Sequence, residues 1–219
     1  MSKVELDQTL KSLADALWDS GAFKTGAFKL KLHETNPNAP LSPYYISMRE
    51  NDVKPGTFPM LCKNIATAIH QDALDALTHA DFVVGIPKAG NPIAEALSRI
   101  NGLPVLTMEK VETPEGRYIS SVIHGDFKLG QRVLGIDDLI TAADTKFEFK
   151  KGLEDNGLVL VHMGVALDRE QGGVKKLREA GVSVSASLKV SQLLDYYLDT
   201  RRLDPSTYQG IIDYIASQK

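Results

Sequence analysis

One cysteine in 219 residues, Cys62, leaves no internal disulfide to form, and no histidine or second cysteine is placed to make it a nucleophile or ligand. It reads as a small packed side chain in a reducing compartment. Charge of one sign is lacking too. The 25 Lys and Arg stand against 28 Asp and Glu, for a net −3, which argues against a general binder of nucleic acid or of a membrane surface. No apolar run approaches the ~18–20 residues of a spanning helix, and the N-terminus has no apolar core or cleavage site of a secretory signal. A cytoplasmic protein is the expectation. Internal repeats and low-complexity segments are absent, as are the GxGxxG and GxxxxGK[ST] fingerprints of two large nucleotide-binding classes.

What is present is a regular alternation. Leu6, Leu10, Leu13 and Leu17 recur at helical spacing, predicting a helix over about 5–19 closed by Gly21. Phe28, Leu30 and Leu32 alternate with Lys29 and Lys31, the pattern of a half-exposed strand. A Pro/Asn-rich turn (residues 36–40) leads to a second short strand, SPYYISMR, and residues 51–59 read as loop. Residues 60–80 read as one helix with a broad apolar face. Strands are predicted over 82–86, 104–109, 118–123, 158–167 and 182–188, with helices over 173–180 and 191–200. Pro92 is expected to open the helix that runs to Ile100, and residues 111–116 to be polar loop. Asp204 with Pro205 behind it predicts a capped last helix to Ser217. Such alternation builds a mainly parallel sheet with helices on both faces. A single domain is expected: a helix and hood over about 1–57, a core over 58–200 and a C-terminal helix over 201–219.

The chain is organised around Arg132 to Lys146, RVLGIDDLITAADTK. Val133, Leu134 and Ile136 form a short apolar run, as in a strand buried on both faces. Asp137 and Asp138 stand where that strand should emerge. The small residues Thr141, Ala142, Ala143, Asp144 and Thr145 then lead into a helix. Free amides at a helix start suit a phosphate, and carboxylates accept hydrogen bonds from sugar hydroxyls. The plainer reading is a buried strand ending in a solvated acidic turn. A second loop, Gly85-Ile-Pro-Lys-Ala-Gly-Asn-Pro92, also joins a buried strand to a helix start and brings the cation Lys88.

Together these stretches resemble type I phosphoribosyltransferases, which bind 5-phosphoribosyl pyrophosphate (PRPP). The segment from Asp168 through Gly173, followed by KKLREAGVSV and SLKVSQLLDYY, resembles the orotate phosphoribosyltransferases most closely, in particular the domain fused to orotidylate decarboxylase. AFKLK, SPYYISMR and VVGIPKAGNPIAEALS match family segments in order. The resemblance runs from about Gly21 to the C-terminus and implies an α/β fold with a small N-terminal hood.

The resemblance also implies roles. Asp137 and Asp138 would grip the ribose hydroxyls, with Lys110 as a catalytic cation. Thr141, Ala142, Ala143, Asp144 and Thr145 would hold the 5′-phosphate, and Lys88, Ala89, Gly90 and Arg117 the pyrophosphate. Lys31, Tyr44, Tyr45 and Arg169 would bind orotate, the tyrosines flanking its ring. Mg2+ would come mainly with PRPP, with Asp137 and Asp138 as the protein oxygens nearest it. A homodimer using PRPP and orotate is implied, with no nucleic acid or membrane partner. Departures from the family pattern are visible. Ten residues, 32–41, replace a short Ser-Gly turn. Ala143 stands for a Gly, and Asp144 for a Thr. An acid beside a phosphate is unfavourable, so Asp144 is expected to turn away or to cap the helix. The lid segment 109–117 is acidic, keeping Lys110 and Gly116, with Arg117 as a replacement cation. His124 is expected to be structural. A transferase for another base, or a PRPP-binding regulator with little turnover, remain as alternatives.

Overall fold

The computed structural model describes residues 5–30, 33, 36–113 and 116–218, apart from the side chains of Glu50 and Arg117. Helix α1 (Gln8–Asp19) starts at Asp7, whose carboxylate accepts the Leu10 amide at 2.8 Å. Strands β1 (Phe23–Phe28) and β2 (Ser42–Ile46) pair antiparallel as a separate small sheet, the hood. β1 ends before Leu30, short of the predicted alternation, and Lys31 and Leu32 lie outside the described residues.

Residues 60–80 are not one helix. α2 (Thr57–Asp72) stops at Ala73, whose φ of −148° and ψ of 39° break the spiral, and α3 (Leu74–Thr78) adds a short turn. The core follows with β3 (Phe82–Gly85), α4 (Gly90–Asn101), β4 (Val105–Thr113), β5 (Gly116–His124), β6 (Arg132–Ile140), α5 (Asp144–Glu154), β7 (Val159–Asp168), α6 (Gly173–Glu179), β8 (Ser183–Lys189), α7 (Val190–Asp199) and α8 (Pro205–Ser217). Pro92 sits third in α4 rather than first, because the helix already opens at Gly90. Asp204 caps α8 as expected, accepting the Ser206 and Thr207 amides.

The six-stranded sheet has the order β5-β4-β3-β6-β7-β8, parallel except for β5, which pairs antiparallel with β4. Residues 111–113 and Gly116, expected as loop, are therefore strand residues of the β4–β5 hairpin, whose register runs to Thr113 opposite Gly116. The polar pattern that reads as loop belongs to a ribbon at the sheet's edge, where half the side chains meet water.

Alternate residues supply two apolar layers. Val83, Leu134 and Ile136 pack with α1, α2, α4, α7, α8 and the hood, while Phe82, Val84 and Val133 pack with α5 and α6. The helices after the neighbouring strands β3 and β6 thus fall on opposite faces. That divergence opens a crevice at the carboxyl edge between them, the place where open α/β sheets bind ligands. Cys62 is buried in the first layer. Among the described residues, no helix is long and apolar enough to cross a membrane.

Candidate functional site

Three loops meet at the carboxyl edge. The one after β3 is held down where the Ile86 amide reaches the Ile136 carbonyl at 2.8 Å. Its backbone runs so close to β6 that a Cβ on Gly90 would sit 2.3 Å from the same carbonyl oxygen. The Pro87-Lys88 peptide within it is cis. The loops after β6 and β7 are tied by bonds from Arg169 N to Ile140 O and from Gly173 N to Thr141 O, at 3.0 and 2.9 Å. These contacts bring Lys88, Ala89 and Gly90, residues 141–145, and Arg169 to one crevice.

β6 runs on through the acidic pair to Ile140, so the two carboxylates are strand residues rather than the first residues beyond it. Asp137 is 5% exposed, and both of its oxygens are occupied. One accepts the Asp138 amide at 2.9 Å; the other takes the Lys146 ammonium at 2.6 Å. Lys146 is equally buried, and it also donates to the Leu139 carbonyl at 2.6 Å. The two aspartates, expected to act alike, are thus held differently, since Asp137 is buried against Lys146. Asp138 is half-buried, and one of its oxygens accepts the Leu139 amide at 2.8 Å. Its burial, followed by the neighbouring Asp137 carboxylate, pushes its pKa up to about 7.

Lys146 carried no role in the sequence reading. The signal was there: with Phe149 and Leu153 it forms the buried face of α5 at i, i+3, i+7, and a cation on an apolar stripe needs a buried anion. At the head of this helix Ala143 adopts a left-handed φ of 75°, the conformation for which the family's Gly is suited. Asp144, the first helical residue, is exposed and makes no capping bond. The expectation that it caps the helix is therefore not met.

The surroundings of Arg169 have a different character. Arg169 is 5% exposed and lies 4.6 Å above the centre of the Tyr44 ring, donating from Nε to the Tyr44 hydroxyl at 2.9 Å. Its Nη2 is buried with no hydrogen-bond partner. Tyr44 is wholly buried, and Tyr45, one residue on along β2, leaves the opposite side to lie 5.7 Å from Phe28. The two tyrosines therefore do not flank one ring. Tyr44 supports Arg169 instead, and burial holds its hydroxyl above the ordinary tyrosine range. The loop between is braced by Asp168, which accepts the Glu170 amide, and by Glu170, which accepts the Ser191 amide. Lys31, the other expected base contact, lies outside the described residues.

Lys88 is exposed and pairs with Glu112 of the hairpin at 3.5 Å, so its charge is partly answered from within. Glu109 accepts from or shares a proton with His124 Nε2 at 2.8 Å, which leaves His124 a structural role. Lys110 lies on β4 opposite Ile119, and the Arg117 side chain is outside the description. Among the described residues, no group of three or more His, Cys, Asp or Glu side chains could hold a metal ion by itself. The donor that fits a shared Mg2+ is the half-buried Asp138, an oxygen ligand suited to a hard cation.

No family model matches the chain. It is 27% identical over 209 residues to the bovine (Bos taurus) uridine 5′-monophosphate synthase, which covers 95% of this chain and 41% of the relative. The chain spans about two fifths of that relative's length. It is 28% identical to the orotate phosphoribosyltransferase of Thermococcus gammatolerans, over 84% of this chain and 90% of that one. The solved structure of Leishmania donovani UMP synthase superposes with a TM-score of 0.78 at 26% identity, covering 94% of this chain and 42% of that chain. The α/β fold expected from the sequence, a mainly parallel sheet flanked by helices, is the fold observed and shared with that solved structure.

Proposed function

We propose that this chain is an orotate phosphoribosyltransferase, moving the phosphoribosyl group of PRPP onto orotate to give orotidine 5′-monophosphate and pyrophosphate in pyrimidine synthesis. The observation that carries this reading is Arg169, a buried guanidinium with an unpartnered Nη2, at the same sheet edge as an acidic pair and a helix start. A buried cation without an anion is costly, and a planar acceptor such as the orotate carboxylate or its imide oxygens matches the guanidinium fork. The names of the relatives agree with that choice.

In this reading the C1–O bond to pyrophosphate breaks as N1 of orotate bonds to C1, and the N1 proton passes to solvent. Asp138 accepts a ribose hydroxyl and lies near the positive charge growing on the ring. Amides of residues 141–145 hold the 5′-phosphate, with the positive end of α5 behind them. Lys88 and the amides of Ala89 and Gly90 face the pyrophosphate. Asp138 would be the protein's oxygen toward a Mg2+ brought by PRPP, which would offset the charge on the leaving group. A homodimer in the cytoplasm belongs to the same reading, and the exposed Tyr118 and Val122 on the edge strand β5 are surface that a second copy would cover.

A second reading, a PRPP-binding protein with little turnover, is favoured by Glu112 beside Lys88 and by Asp144 at the phosphate loop. Pyrophosphate release from PRPP and Mg2+ with a panel of bases separates them. Release that depends on orotate is the expected result. Release with a different base alone would mean a related transferase, and calorimetric PRPP binding without release would favour the second reading.

A further inference from the structure

The two carboxylates of the acidic pair are adjacent in β6 but differ in burial: Asp137 is 5% exposed, whereas Asp138 is half-buried. The simple alternation of faces along β6 ends with Ile136, since Leu139 packs with the layer of α4 and the hood and Ile140 with the layer of α5. What separates the two aspartates is therefore the partner that covers one of them.

Asp137 meets Lys146. Each side chain is 7% exposed, and the contact is 2.6 Å. The ammonium's second bond, to the Leu139 carbonyl, anchors it between the acidic pair and the loop that follows. Such a pair is electrically neutral as a unit, and a nearby polyanion feels one carboxylate instead of two. We infer that Lys146 is a positioning residue that neutralises Asp137 from within, so that Asp138 is the single carboxylate of the pair offered to the sugar hydroxyls. The inference rests on the reading of the site as a PRPP site. It has a consequence for the metal: with one of the two negative charges already answered by the protein, PRPP needs less help from Mg2+ to approach.

Calorimetric titration of PRPP, in Mg2+ and in EDTA, tests this on the full chain and three variants. Lys146→Met leaves Asp137 charged and unanswered, so its PRPP affinity should fall at least ~10-fold more than the parent's when Mg2+ is removed, and Lys146→Arg should restore the parental dependence. Because Lys146→Met leaves a buried charge unanswered at a cost to folding, the neutral double variant D137N/K146M provides a second arm. It should bind PRPP within about threefold of the parent with or without Mg2+, whereas Asp138→Asn should lose at least ~10-fold. A D137N/K146M loss equal to that of Asp138→Asn would overturn the inference, since Asp137 would then touch the sugar itself. Equal Mg2+ dependence in the parent and Lys146→Met would also overturn it. A parent that binds no PRPP in Mg2+ would instead remove the PRPP reading, and this inference with it.

Discussion

Two cations are buried at the carboxyl edge of the sheet, and they are provided for in opposite ways. Lys146 has a carboxylate and a carbonyl within 2.6 Å. Arg169 has an aromatic face and a phenol oxygen, and one nitrogen with nothing to bond. The first is satisfied without any ligand and belongs to the scaffold. The second is incomplete, because a stacked tyrosine orients a guanidinium but does not neutralise it. Residue type follows the difference: an ammonium on a flexible stem suits a fixed internal anion, whereas a planar fork with spare donors suits an incoming planar one. The comparison also separates the two halves of the crevice. The Arg169 side keeps an unfilled bonding position, while Lys146 and Lys88 are already engaged by this chain's own acids.

The largest expected effect comes from breaking the satisfied pair. Lys146→Met should cost about 3–5 kcal/mol, because a buried charge is left unanswered. Thermal melts should show a fall in Tm on the order of 10 °C, most of it recovered in D137N/K146M. Next is Asp138→Asn, which should reduce kcat by about 10²-fold if this carboxylate faces the reacting sugar. Steady-state rates with saturating PRPP would show it, and a rate near the parent's would remove Asp138 from the site.

The same variant has an opposite effect on stability. Folding raises the Asp138 pKa to about 7 from an ordinary value of 3.8, so the folded state binds the proton more tightly and stability is lost as pH rises between those values. Asp138→Asn removes that loss. Its Tm should match the parent's near pH 4 and exceed it by a few degrees at pH 7.5, with about 2–4 °C for each kcal/mol. His162 contributes in the other direction in both proteins. Its pKa is lowered to about 4 by burial between Ser183 and Ser185, so stability it supports is lost as pH falls from 6.5 toward 4. The difference between variant and parent isolates Asp138. A Tm difference that does not change with pH would contradict the assigned shift.

The smallest effect belongs to the hairpin. The Lys88–Glu112 pair is exposed, with side chains 77% and 58% accessible, so Glu112→Gln should change stability by less than ~1 kcal/mol. It should raise PRPP affinity a few-fold in dilute buffer and lose that advantage at high salt, where exposed charges are screened. A calorimetric series across ionic strength checks it.

Much of this was legible in the sequence where one local rule decides. Buried runs such as Phe82–Gly85 and Arg132–Ile140 announce interior strands, and Asp204 with Pro205 announces a helix start. The break at Ala73 carries no Gly or Pro, so helical periodicity runs through it unmarked. The hairpin's pairing was missed because it is a contact between segments, whereas the polar stretch from Val111 to Gly116 read locally as loop. The partners of the candidate site residues were not legible. That Lys146 covers Asp137, and that Arg169 stacks on Tyr44, are contacts between distant segments that no local pattern announces.

The central claim is that Arg169 is the position left open for the base, and two-substrate kinetics of Arg169→Ala tests it most directly. A lost charge-assisted hydrogen bond is worth ~1.5–3 kcal/mol, so kcat/KM for orotate should fall at least ~10-fold while the KM for PRPP stays within about threefold of the parent's. Equal losses for orotate and PRPP, or no loss for orotate, would contradict the account.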